Sequence, residues 1–236
     1  MLAYLAMKKW QDDHLAACTP ILPYWTSGGR LHTIKSGNTC RKQNKNWEDT
    51  MNTTIQAILN RRSIRNFAAT PLKQEEIDAL VAAALASPTA MNRQLWAFRF
   101  ITSQTLIAAM NDTALCHFRE VGDQAALDRI AARHESIFYG APLLVVIAMP
   151  AGAGRYAPID AGIAAQNLAI AAQSLGLGSC IIGMASASFA GARGQSILDQ
   201  MDWPEGYEFA ISIAIGHPAM TKEAHEQHPE KVRQIR

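Results

Sequence analysis

From Met51 onward two hydrophobic periods alternate along the chain, and they predict helices interleaved with strands. Ile55–Leu59 reads as a short helix. Ile77, Leu80, Val81, Ala84 and Leu85 recur at the spacing of an amphipathic helical stripe, which Pro88 stops. Trp96–Thr102 alternates and is rich in β-formers, so it predicts a strand. Gln124–Phe138 is helical in pattern, and Leu143–Met149 is an unbroken apolar run that predicts a buried strand. Pro158–Leu175 is a long Ala-rich helix with a C-cap signal in Gly176-Leu177-Gly178. Ser179–Ile182 and Glu208–Ile215 predict two further strands, with a helix near Gln195–Met201 between them. About four short strands among helices describe an α/β or α+β sheet domain, not a bundle or a sandwich.

Composition changes at Met51. Residues 1–50 hold three of the five tryptophans and two of the four cysteines, with a net charge of +3 against −1 for the rest. Within them Thr26–Arg30 and Ser36–Asn38 read as loop, and no period persists. Trp47-Glu48-Asp49-Thr50-Met51 back-translates to TGG-GAR-GAY-ACN-ATG, which accommodates a GGGAGGA ribosome-binding sequence just before ATG. The expectation is that residues 1–50 are a non-homologous extension translated from a misplaced start, with a genuine N-terminal arm as the alternative. Residues 51–236 are then the working domain.

The whole chain has 236 residues, 49% hydrophobic and 18% charged, with a net charge of +2. This is enough for a substantial core and too apolar for disorder. Near-neutral charge argues against gripping nucleic acid, while a small anionic ligand stays open. Cys18, Cys40, Cys116 and Cys180 form no C-x-x-C pair, which suits a reducing cytoplasm rather than a zinc site or a disulfide framework. The apolar start gives way at once to Lys8-Lys9, and no apolar run of about 18 residues exists for a membrane span.

Three constellations could carry chemistry. Arg61-Arg62-Ser63-x-Arg65 places three guanidiniums and a hydroxyl where they can surround a phosphate, although a solvated helix end would look the same. Ser87-Pro88-Thr89-Ala90-Met91-Asn92-Arg93-Gln94 lies between a helix stop and a strand. Its amides at Asn92 and Gln94 suit a flat heterocycle, or simply neighbouring backbone. Asp160-x-Gly162-x-x-x-Gln166-Asn167 lies on the Ala-rich helix that leads into Gly176–Gly183. That Gly-rich run follows a helix and enters a strand, the reverse of a Rossmann loop, so a Rossmann site is rejected.

Taken in order, R-R-S-I-R-N-F at 61–67, S-P-T-A-M-N-R-Q-L-W at 87–96, Y-G-A-P at 139–142, D-A-G-x-A-A-Q-N-L at 160–168 with G-L-G-S-C-I-I-G at 176–183, and A-I-G-H-P at 214–218 resemble the nitroreductase family of FMN-dependent NAD(P)H oxidoreductases. The resemblance runs from Met51 to about Pro218. It implies an α+β fold with a central, mostly antiparallel sheet flanked by helices, and an intertwined homodimer holding FMN at its interface. Arg61, Arg62, Ser63 and Arg65 would bind the FMN phosphate, ribityl chain and pyrimidine edge. Asn92 and Gln94 would address the ring, with Pro88, Thr89 and Ala90 contributed by the partner subunit. Ile182 and Gly183 would run past the ring, a backbone N–H meeting flavin N5. His117 and Phe118 would line the acceptor's side. The chain departs from the family at Leu95, where Pro is common, and at His217, where Tyr is common. The family's C-terminal cation has no clear match among Lys222, His225 and His228.

No side chain is expected to act as a catalytic acid or base, since the cofactor carries the chemistry. The implied reaction is ping-pong: NADH or NADPH reduces the flavin, then a nitroaromatic, quinone or related electrophile reoxidises it. Two alternatives are a flavin-binding or sequestering module, and oxygen-dependent or dehalogenating flavin chemistry. The Ala/Gly face of Asp160–Leu175, including Ala161, Gly162, Ala164, Ala165, Ala169 and Ala172, buries little area of its own and allows close helix approach within the core or across a subunit interface; the resemblance implies that the approaching helix belongs to a twin. His225-x-x-His228 lacks acidic or Cys partners and reads as a solvated tail rather than a metal site. Ser186 and Ser188 lack a nucleophile elbow.

Overall fold

The structure is a computed structural model and describes residues 52–133 and 136–235. The expectations for residues 1–50 lie outside the described residues. Those up to Ala224 belong to one compact unit, and those from His225 onward fall outside it.

Ten elements build the unit: α1 (Thr53–Asn60), α2 (Gln74–Leu85), β1 (Ala97–Ile101), α3 (Gln104–Glu120), α4 (Gln124–Ala131), β2 (Leu143–Pro150), α5 (Ala157–Ser174), β3 (Gly178–Ile182), α6 (Gly191–Gln200) and β4 (Tyr207–Gly216). The strands form one sheet in the order β1-β2-β4-β3, and every neighbouring pair is antiparallel. The fold is therefore α+β, as the motif order implies.

The unbroken apolar run of β2 is explained by burial on both faces. Leu143, Val145, Ile147 and Met149 join Ile213 and Ile215 of β4 in one cluster, covered by α2 and α5. Leu144 and Val146 join Ala214 of β4 and Cys180 and Ile182 of β3 in the other, covered by α3. Alternate side chains thus feed opposite layers, which leaves no position on β2 for a polar residue. The one hydroxyl buried at the centre of β4, Ser212, is satisfied by donating from Oγ to the Ile182 carbonyl at 2.9 Å.

Two elements correct the pattern reading. The helical period extended Gln124 to Phe138, but α4 stops at Ala131. Ile137, Phe138 and Tyr139 are core plugs in an irregular turn instead, where the Ile137 N–H donates to Asn111 Oδ1 at 3.0 Å. Helix α3, 17 residues long, is not in that reading at all. Its signals are an N-cap, Ser103 Oγ accepting from the Leu106 N–H, and a buried stripe of Ile107, Met110 and Ala114. The polar Thr113 interrupts the stripe yet is buried, because its hydroxyl donates to the Ala109 carbonyl at 2.8 Å.

The small-residue face of α5 is also corrected. Ala161, Ala164, Ala165, Leu168, Ala169 and Ala172 are buried against the chain's own sheet and α2, so this face is already used within one subunit. Gly162 alone of that set is exposed, and the outward side carries Ile159 at 55% exposure. Small side chains there let α5 lie close to the sheet. The helix closes as expected at Gly176, with the Leu177 N–H returning to the Ala172 carbonyl at 2.8 Å.

Candidate functional site

The five motifs fall into two clusters, each held by identifiable contacts. The first begins where α1 ends and the chain runs extended beside β3. Ser63 bridges Ser179 in parallel, and the Ile64 N–H donates to the Ser179 carbonyl at 2.9 Å. Further on, Phe67 bridges Pro218, the Ala68 N–H donates to the His217 carbonyl, and the Ala219 N–H donates to the Asn66 carbonyl. The segment 61–68 is thereby pinned at both ends against the strand ends of the sheet.

Two glycines permit this approach. A Cβ on Gly178 would lie 2.9 Å from Cγ1 of Ile64, and one on Gly216 would lie 2.5 Å from Cδ of Pro142 and 3.1 Å from Phe67. Four motifs, at 61–67, 139–142, 176–183 and 214–218, thus form one packed unit.

Cations from within and beside this unit surround Cys180. Burial pushes the Cys180 thiol up, and the neighbouring cations Arg65, Arg133, Lys222 and Arg61 pull it back, in that order. Among the described residues none of these four cations pairs with a carboxylate. Arg62 caps the end of α1 through Nη1, donating to the carbonyls of Leu59 at 2.7 Å and Arg61 at 3.0 Å. The Nε–H groups of Arg62 and Arg65 are buried and have no acceptor among the described residues. Guanidinium donors without a carboxylate partner are of the kind that can hold an anion rich in oxygen acceptors. Lys222 and Arg133 act on the same thiol as Arg61 and Arg65, and no sequence motif announces Arg133. His228 pairs instead with Glu230, Nδ1 to Oε1, at 3.1 Å.

The second cluster is the loop before β1. Ser87 is buried, Pro88 is exposed, and Thr89 and Ala90 are half-buried ahead of a single 3-10 turn, Ala90–Asn92. Met91, Asn92 and Gln94 all take left-handed backbone conformations, with φ of 53°, 51° and 50°. Non-glycine residues are uncommon there, so the loop is held in shape by its surroundings. The Gln94 N–H donates to Thr89 Oγ1 at 2.9 Å, and Gln94 Nε2 donates to Asn92 Oδ1 at 2.9 Å. That side-chain pair leaves the Asn92 amide hydrogens and the Gln94 carbonyl oxygen facing solvent, a donor–acceptor edge suited to a flat heterocycle.

Ile182 is buried and Gly183 exposed at the end of β3, followed directly by the 3-10 turn Met184–Phe189 that packs against α3. His117 and Phe118 lie in the last turn of α3, half-buried, their rings 6.0 Å apart, and Phe118 is partly spent on the core. Among the described residues no hydrogen bond joins the two clusters. A cavity of about 500 Å³ lies elsewhere, between the N-terminal half of α5 and the starts of β4, and contains none of the expected cofactor residues.

The sequence model of the Nitroreductase family matches residues 58–217. An FMN reductase (NADPH) of Bacillus subtilis is 30% identical over 183 residues, covering 72% of this chain and 67% of the relative. A nitroreductase with bound FMN from Desulfitobacterium hafniense is 32% identical and superposes with a TM-score of 0.76, covering 79% of this chain and all of that one. One from Bacteroides fragilis, 20% identical with a TM-score of 0.73, shares the fold.

Proposed function

This chain belongs to the nitroreductase family, and we propose that it is an FMN-dependent oxidoreductase whose phosphate-binding end is the cationic unit beside β3. The observation that carries the reading is that, among the described residues, Arg61, Arg65, Arg133 and Lys222 have no carboxylate partner and the Nε–H groups of Arg62 and Arg65 are buried without an acceptor. A phosphate monoester supplies the charge and the oxygen acceptors that this set lacks. In this reading Arg61, Arg65 and Lys222 neutralise the phosphate, Arg62 and Ser63 add donors toward it and the ribityl chain, and Asn92 and Gln94 address the ring. The backbone at Ile182–Gly183 lines the ring, and His117 and Phe118 border the acceptor. The FMN bound by the D. hafniense relative supports the assignment.

The chemistry that bound FMN supplies is reversible two-electron transfer, from NADH or NADPH to a nitroaromatic, quinone or similar acceptor that visits the same site in turn. The protein's own work is to bind, orient and exclude water. No described carboxylate or histidine is placed as an acid or base, so none is given a proton-transfer role.

Among the described residues no hydrogen bond joins the 87–94 loop to the cationic unit, and we propose a site completed across a homodimer, with Pro88–Ala90 reaching from the partner. Because the small-residue face of α5 is buried in its own subunit, the proposed interface lies at α1 instead. Ile55, Ile58 and Leu59 on α1 are 45%, 42% and 43% exposed, a one-sided apolar stripe that a partner would cover. Among the described residues no helix is long and apolar enough to cross a membrane. A reducing cytoplasm remains the compartment we propose.

The test compares FMN with riboflavin on flavin-stripped protein. FMN should bind with roughly one equivalent per chain and at least about a hundredfold more tightly than riboflavin, which lacks the phosphate. Equal affinities would remove the phosphate assignment. Steady-state patterns with a quinone and a nitroaromatic, with and without oxygen, then separate ping-pong reduction from oxygen-dependent or dehalogenating chemistry.

A further inference from the structure

Two polar residues of α5 have no part in the cationic unit, yet both reach the same loop. The Ala90 N–H donates to Asp160 Oδ1 at 3.0 Å, and Asn167 Nδ2 donates to Ser87 Oγ at 3.1 Å. Asp160 and Asn167 are seven residues apart, two turns of helix, so they lie on one side of α5. Asp160 is 5% exposed and Ser87 is 4% exposed, so each contact has one buried polar partner, while Ala90 and Asn167 are half-buried.

The loop cannot supply these contacts itself. Thr89 is the N-cap of the 3-10 turn, but its side chain does not cap that turn; its Oγ1 accepts from the Gln94 N–H instead. The first N–H of the turn is left for a distant acceptor, and Asp160 is that acceptor from 70 positions away. Ser87 is likewise saturated, with Oγ donating to the Ala83 carbonyl at 3.4 Å while accepting from Asn167. Downstream of these two anchors come the three left-handed residues Met91, Asn92 and Gln94, which local preference alone would not hold.

We propose that Asp160 and Asn167 are positioning residues: they clamp the loop at Ala90 and Ser87 so that Asn92 and Gln94 hold the edge that meets the flavin ring. The inference rests on the FMN reading above. It assigns the two helical residues to cofactor recognition at one remove, without contact to the cofactor.

The test uses full-length protein stripped of flavin and two independent variants, Asp160→Ala at one anchor and Asn167→Ala at the other, with Asp160→Asn as the conservative control. Amide exchange at Ala90 in the stripped protein reads the clamp without any flavin. FMN titration, with the visible circular dichroism of the bound flavin, reads its consequence. Asp160→Ala should lose protection at Ala90 and weaken FMN by about tenfold or more, with a changed dichroic band. Asp160→Asn keeps an oxygen for the Ala90 N–H and should recover most of both. Asn167→Ala should weaken FMN in the same direction while the chain stays folded, which keeps the idea testable if Asp160→Ala is insoluble. Wild-type affinity and dichroism in a folded Asp160→Ala or Asn167→Ala protein would overturn the proposal. Wild-type protein that takes up no FMN would remove the cofactor reading and the proposal's second half with it, and the exchange data would then report the clamp alone.

Discussion

Ile64 lies so close to Gly178 that a methyl group on the glycine would sit 2.9 Å from Cγ1 and 3.1 Å from Cβ of the isoleucine. Ile64 is β-branched and stiff, so it cannot swing aside cheaply. Gly178→Ala should therefore cost about 1–3 kcal/mol of stability and push the Arg61–Arg65 segment off β3. Urea unfolding measures the first effect and FMN titration the second. Unchanged values for both would show that the contact does not fix the segment.

Arg65 leads the cations that act on Cys180, and its Nε–H is buried without an acceptor. Arg65→Gln should weaken FMN by about ten- to a hundredfold, since hydrogen bonds to charged groups are worth roughly 1.5–3 kcal/mol. It should leave riboflavin binding nearly unchanged. Added salt should weaken wild-type FMN binding more than the variant's. An equal loss for both ligands would point to a misfolded segment rather than a phosphate contact.

The Cys180 thiol, which ordinarily ionises near 9.0, is raised by burial. The folded chain then holds this proton more tightly than the unfolded chain does. Its contribution to stability is complete below about 9.0 and declines as pH rises through the folded value. Thermal melting from neutral to strongly alkaline pH should show a steeper alkaline loss for wild type than for Cys180→Ala. Parallel curves would remove Cys180 as the cause.

Ala165 is 1% exposed on the sheet-facing side of α5, whereas Ile58 is 42% exposed on α1. Ala165→Glu buries an unpaired charge and should destabilise the subunit itself by about 3–5 kcal/mol. Ile58→Glu should instead leave the fold intact and shift a dimer toward monomer in sedimentation velocity, with loss of flavin. A stable dimer from Ile58→Glu would place the interface elsewhere.

Much of this site was legible because its motifs carry backbone constraints. Gly178 and Gly216 must be glycine where Ile64 and Pro142 press on them, so the runs that contain them read clearly in one sequence. The Ala-rich pattern of α5 was visible, but not its partner, because small residues suit a neighbouring sheet as well as a twin helix. The capping role of Asp160 was illegible, since its partner is a backbone N–H 70 positions away that no residue type marks. Arg133 was missed because it lies outside every motif, between α4 and the Ile137–Tyr139 turn. Helix α3 went unread although Ser103 caps it, because its apolar stripe is thin and Thr113 is buried by a bond to its own helix.

The proposed function requires this chain to hold FMN and cycle it between a nicotinamide donor and an electrophilic acceptor. The most direct measurement is the visible spectrum of the purified, FMN-loaded protein under anaerobic conditions as NADH or NADPH is added, followed by a quinone or nitroaromatic. Prompt bleaching by at least one nicotinamide, and return of the yellow colour on adding acceptor, is the predicted result. A protein that stays colourless with added FMN, or stays yellow with both nicotinamides, would contradict it.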